Sequence, residues 1–113
     1  MAKNNRSETI PDDVWEKAKT IPNPNVDASK WRKDYAGAWI CYDSYGDRNS
    51  DYGWETDHRK PVAKGGTDDL TNLDPLQWEN NVTKGDDYPS WTTSVSSDGS
   101  KNILKTQSWQ EKK

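Results

Sequence analysis

Short strand-like and helix-like stretches alternate along this chain, and they predict a small α+β domain. Three observations carry that prediction. Extended patterns occur at 38–42, 53–58 and 70–76, each bounded by turn formers. A polar but breaker-free run at 78–84 stops at Gly85 and reads as a helix. Seven tryptophans and five tyrosines supply ring area where aliphatic side chains are scarce, since Leu, Ile, Val and Phe total 13 of 113 residues.

That aliphatic content, taken alone, belongs to a disordered chain. The net charge of −3 does not. Each buried aromatic ring removes roughly 150–250 Å² from water, so a few tryptophans can build a core. The length suits one domain. The expected organisation is a flexible tail over 1–10, a single domain over 11–106 centred on 53–85, and a second tail over 107–113.

The elements follow in order. Pro11, Asp12 and Asp13 suit the start of a helix over 11–20, and Lys17 and Lys19 suit its last turn. Val14, Trp15 and Ala18 share one side of it, which makes Trp15 a core anchor. The run Ile21-Pro22-Asn23-Pro24-Asn25 breaks the helix. Residues 27–33 read as one helical turn capped by Asp27. Residues 38–42 read as a strand carrying Cys41, which is expected to be buried and inert. On the next strand, Trp54, Thr56 and His58 fall on one face, and Glu55 and Asp57 on the other. Gly65 and Gly66 mark a loop, and 70–76 returns as a strand interrupted at Pro75. After the helix at 78–84, two strands at 91–95 and 102–106 make a hairpin turning at Asp98-Gly99.

Composition also bounds function. One cysteine permits neither an intramolecular disulfide nor a cysteine-based zinc site. The first residues lack the apolar segment of a secretory signal, and no apolar run approaches a membrane span. The expected setting is the cytoplasm, with no membrane partner. The pI of about 5.1 is low for a nucleic-acid binder. Three explanations stay open: basic groups gathered on one face, low affinity, or a different target. Carboxylates that hold a metal ion would also be neutralised locally.

The chemistry concentrates between Gly53 and Lys84. This stretch holds the only histidine, His58, directly after Asp57. A strand hairpin backed by a helix would bring Asp57, His58 and Asn81 to one spot. At these residues the sequence resembles the HNH endonuclease family, whose site is a ββα-metal finger. The elements that carry the resemblance are Asp57-His58, Pro61, Gly65-Gly66, Asn72-Leu73, Asn81 and Lys84, six in order. Flanking words such as Ala36-Gly37-Ala38-Trp39 and Tyr88-Pro89 also look like those of small bacterial or phage proteins of this family.

The resemblance implies a role for each position. His58 would be the general base that takes a proton from water, since imidazole titrates near neutral pH. Asp57 and Asn81 would hold one divalent cation, and their oxygen donors favour Mg²⁺ or Mn²⁺. Asn72 would tie down the loop behind the base. Arg59, Lys60, Lys64 and Lys84 would contact the phosphates of a DNA substrate. Glu55 could add charge near the metal or stay solvated. Many relatives carry Cys-x-x-Cys pairs for a structural zinc; here the matching positions are Gln77 and Asn80, so no structural zinc is expected and tryptophan packing would replace it. The implied activity is metal-dependent hydrolysis of DNA phosphodiesters, alone or as the cutting module of a larger machine, in a bacterial or phage-infected cell. The alternative is an inactive finger kept as a nucleic-acid-binding or interaction scaffold.

Overall fold

The computed structural model describes residues 9–111. Helix α1 (Asp12–Trp15) is followed by strands β1 (Trp31–Lys33) and β2 (Trp39–Cys41). Strands β3 (Trp54–His58) and β4 (Leu73–Gln77) come next, then helix α2 (Trp78–Lys84). Strands β5 (Ser90–Asp98) and β6 (Lys101–Gln110) complete the described residues. The strands form three antiparallel pairs, β1–β2, β3–β4 and β5–β6. The architecture is α+β, as the alternation of patterns predicts.

Helix α1 is shorter than the expected 11–20. The reason lies in β1. The Arg32 guanidinium takes the carbonyls of Trp15 and Glu16, at 3.4 and 3.2 Å, which further helical turns would have used. Lys19 and Lys33 then exchange backbone hydrogen bonds at 2.8 and 3.0 Å, drawing the chain out of the helix. Residues 27–30 form a turn rather than a helix. Asp27 Oδ1 accepts from the Ser29 amide and hydroxyl, and Trp31 leaves directly as strand.

The core is aromatic. Trp15 and Trp54 pack at 5.3 Å between centroids, Tyr42 meets Trp15 edge-on at 5.4 Å, and Tyr45 lies 4.7 Å from Trp54. Val14, Ala18 and Ile40 fill the space between the rings, with Ile10 and Leu73 at the margin. Ile10 therefore belongs to the domain and not to a tail. The rest of the expected amino-terminal tail, residues 1–8, lies outside the described residues.

Strand β3 and helix α2 match their expected places, whereas the return strand expected over 70–76 begins only at Leu73, after a single 3-10 turn at Leu70–Asn72. Pro75 pairs with Thr56 inside β4, where its missing N–H is tolerated because the hairpin has only two strands. The α2 N-terminus is capped by Gln77, whose side chain accepts from the amides of Glu79 and Asn80. The carboxy-terminal hairpin is longer than expected. Its loop is Gly99-Ser100 rather than Asp98-Gly99, with Gly99 at φ +63°. Strand β6 runs through Gln110, so residues 107–110 of the expected 107–113 tail are strand, and residues 112–113 lie outside the described residues. Trp109 packs edge-on against Tyr35 at 5.0 Å and hydrogen-bonds Thr93.

One buried carboxylate joins these parts. Asp34 accepts from the amides of Ala36, Ala38 and Gln77 and from Asn80 Nδ2, all at 2.9–3.0 Å. Burial pushes its carboxyl above the ordinary value despite the four donors. Asn80 continues the junction. Its Nδ2 also reaches the Val95 carbonyl, and its Oδ1 accepts from the amides of Ser94 and Val95. The two positions matched to zinc-binding cysteines, Gln77 and Asn80, thus converge on Asp34. Tryptophan packing, the expected substitute for a zinc, is only part of what holds this corner.

Candidate active site

A surface cleft of about 340 Å³ opens where β3, the following loop and α2 meet. Its walls include Thr56, Asp57, His58, Pro61, Asn81 and Asp86. Three of the expected site residues, Asp57, His58 and Asn81, therefore face one space. Two come from the end of β3 and one from the middle of α2. The hairpin register, with His58 opposite Leu73 and Trp54 opposite Gln77, starts the helix beside Gly53 and runs it back along β3.

His58 is partly exposed, and its Nε2 lies 2.7 Å from Asp68 Oδ1. A carboxylate accepts hydrogen bonds and cannot donate one, so the imidazole proton sits on Nε2. In the neutral ring the lone pair is then on Nδ1. Asp68 is 90% exposed at the tip of the Gly65-Gly66 loop. Asn72 holds that loop in place. Its Nδ2 donates to the carbonyls of Lys60 (3.0 Å) and Thr67 (2.8 Å), and its Oδ1 accepts from the Lys60 amide (2.9 Å). Asn72 touches the loop rather than the cleft.

Asp57 is buried, and Oδ2 finds no hydrogen-bond donor among the described residues. Lys84 Nζ lies 3.3 Å away in an ion pair without hydrogen-bond geometry. The ammonium directs its hydrogen bonds at the carbonyls of His58 (3.2 Å) and Arg59 (3.0 Å) instead. Burial pushes the Asp57 carboxyl up to about 6; the Lys84 charge opposes this and the Asp74 charge adds to it. Oδ2 is turned inward to Lys84, but Asp57 still lines the cleft, and its carboxylate would supply the anionic donor of a divalent-cation site there.

The fit extends to Asn81. Its Nδ2 donates to Glu55 Oε1 at 2.8 Å, which leaves the carbonyl Oδ1 as the atom that could meet an ion. Arg48 grips the same carboxylate through two hydrogen bonds, Nε to Oε2 at 2.6 Å and Nη2 to Oε1 at 2.8 Å. Burial pushes the Glu55 carboxyl up, but these donors outweigh it and hold the group below its ordinary value. Glu55 therefore orients Asn81 rather than facing the cleft. Among the described residues no group of three or more His, Cys, Asp or Glu gathers as a metal cage.

The basic residues divide. Lys60 and Lys64 are exposed on the loop beside the cleft, as phosphate contacts require. Lys84 does not reach solvent at all, so the expected phosphate contact is corrected: it is an internal strut beneath Asp57 and His58. Trp91 covers it, with Nζ 5.1 Å from the ring centroid. Arg59 is also diverted, gripping Asp74 through two hydrogen bonds of 3.0 Å. Cys41 is half-exposed rather than buried.

Asp68, Glu55 and Arg48 complete the site, and their roles are not written in the spacing of the motif. An acid two residues after a Gly-Gly loop is the one faint signal for Asp68. No helix among the described residues is long and apolar enough to cross a membrane. Comparison with protein-family models, curated proteins and solved structures returned no match for this chain.

Proposed function

We propose that this protein is a metal-dependent endonuclease that hydrolyses phosphodiester bonds in DNA. The observation that supports the reading is the meeting of Asp57, His58 and Asn81 on one cleft. His58 Nδ1 takes the proton of the attacking water, while Asp68 holds Nε2–H and supports the imidazolium that forms. Asp57 and Asn81 would hold a Mg²⁺- or Mn²⁺-like ion, which when bound offsets negative charge developing on the phosphate and leaving oxygen. Glu55 and Arg48 fix the carboxamide plane of Asn81. Asn72 fixes the loop that carries Asp68. Lys60 and Lys64 position the backbone of the substrate without reading its bases.

The test is nicking of supercoiled plasmid with Mg²⁺, Mn²⁺ or EDTA, run beside His58→Ala. Metal-dependent nicking that disappears in the variant supports the enzyme. Equal nicking by variant and wild type points to a contaminant and sinks the catalytic assignment.

A further inference from the structure

A second cleft lies at the opposite end of β3, where the mechanism uses nothing. It encloses about 310 Å³ between Asn25, Val26, Trp31, Trp39, Tyr52 and Ser100. Three of these are aromatic. The Trp31 ring stands nearly perpendicular to both others, at 82° and 6.3 Å to Trp39 and at 86° and 5.1 Å to Tyr52. All three rings are only partly buried.

The walls are fixed before any ligand arrives. Trp39 Nε1 donates to the Gly99 carbonyl at 2.8 Å. The Asn102 carboxamide holds the Trp39 backbone on both sides, accepting from its amide at 2.7 Å and donating to its carbonyl at 3.1 Å. The hairpin loop at Gly99-Ser100 is thereby pinned over the cleft. By contrast, the Trp31 indole N–H and the Tyr52 hydroxyl carry no hydrogen bond among the described residues. Both remain free to meet a polar edge.

Charge selects among the guests that aromatic walls accept. No carboxylate lines the cleft. Lys33 Nζ sits 4.9 Å from the Trp39 ring centroid, and it has no ion pair among the described residues. Lys101, which follows Ser100, also lacks one. A quaternary ammonium guest would be repelled by the ammonium already stacked on the wall. A flat ring attached to an anion suits the site: aromatic faces stack a base, free N–H and O–H groups meet its edge, and the lysines meet its phosphate.

We infer that this cleft is an accessory site for an unpaired nucleobase of the substrate strand. The inference rests on nucleic acid being the substrate of the first cleft. β3 runs between Tyr52 and His58, so the two clefts stand at opposite ends of that strand. The nuclease would thus hold a splayed strand at one end of β3 and cut it at the other.

The experiment measures binding of fluorescein-labelled oligothymidine, long enough to span both clefts, to His58→Ala protein by anisotropy. The same background carries Trp39→Leu or Tyr52→Leu. Each is expected to weaken binding about tenfold, the effect of one lost base stack. Tyr52→Leu guards against a fold defect in the other variant, and thermal melting identifies one. In the unsubstituted chain, thymidine monophosphate should shift the Trp31 and Trp39 indole N–H resonances. Unchanged oligonucleotide binding in both variants, with plasmid nicking by wild type intact, overturns the accessory site alone. No oligonucleotide binding by any form also overturns this site, and the nuclease reading falls with it only where wild type fails to nick plasmid as well. Indole shifts with tetramethylammonium or a proline-rich peptide, and none with the nucleotide, also overturn it.

Discussion

At the scale of single residues, the pairs around His58 and Asp57 make opposite demands. Asp68 is solvated, so its hydrogen bond to His58 orients the ring more than it strengthens it. Asp68→Asn should lower kcat about tenfold with KM little changed, the usual size of a lost supporting partner. Steady-state cleavage of a short duplex measures this. Asp57 works in the other direction, through burial. Its carboxyl is raised to about 6 from the ordinary 3.8, so the folded chain holds this proton more tightly than the unfolded chain. The stability it contributes is full below about pH 4 and is lost as pH rises through 6. In chelator, wild type should therefore gain roughly 3 kcal/mol relative to Asp57→Asn between pH 7 and pH 4. Urea unfolding of both proteins across that range reads the difference. Matching pH slopes would remove Asp57 as a strained ionised group.

At the scale of elements, the loop between β3 and β4 decides whether the site assembles. The two glycines in it have different jobs. A Cβ on Gly66 would lie 1.7 Å from the Lys60 carbonyl oxygen, a backbone atom that cannot yield. Gly65 has φ +91° but open space, with its nearest neighbour the flexible Lys60 side chain at 3.9 Å. Gly65→Ala should therefore cost about 1–2 kcal/mol from backbone strain alone. Gly66→Ala should cost more and also reduce nicking, because Asn72 and Asp68 depend on the path of Lys60 and Thr67. Thermal melting and plasmid nicking, compared for the two variants, order the effects. The pattern Gly-Gly, Asn-Leu and terminal Asn was legible in the sequence, and so was α2, since local turn and cap chemistry sets these elements. The ends of α1 and β6 were not. Arg32, distant in sequence, removes the carbonyls of α1, and Trp109 joins β6 only because Tyr35 and Thr93 wait for it. Lys84 misled for the same reason. A lysine in the last turn of a helix reads as solvated until Trp91 is seen to cover it.

At the scale of the whole molecule, the Trp15–Trp54 core and the Asp34–Asn80 junction share the task of holding three small hairpins together. The core gives area, and the junction gives registry between parts that never pair as strands. Asn80 uses both carboxamide atoms on buried partners, so Asn80→Ala takes one of two donors from Asp34 Oδ2 and removes the acceptor of the Ser94 and Val95 amides. The expected cost is about 2–4 kcal/mol, with hydrogen exchange rising first in β5 and β6 rather than in β3 and β4. Uniform loss of protection would show that the junction does not single out the hairpin. The composition foretold an aromatic core; a buried carboxylate as its partner was not legible, because β2, β3 and most of β4 lie between Asp34 and its partners Gln77 and Asn80.

That carboxylate has a consequence for how the protein meets its surroundings. Where a zinc holds a finger together, a chelator dismantles the frame along with the chemistry. Here Gln77 and Asn80 meet the buried Asp34 carboxylate at the corresponding corner, so on the proposed reading EDTA should stop nicking while leaving the melting transition in place by circular dichroism. On that reading, activity would follow the free divalent ion around the protein as a dial that turns both ways, with no round of refolding between the idle form and the working one.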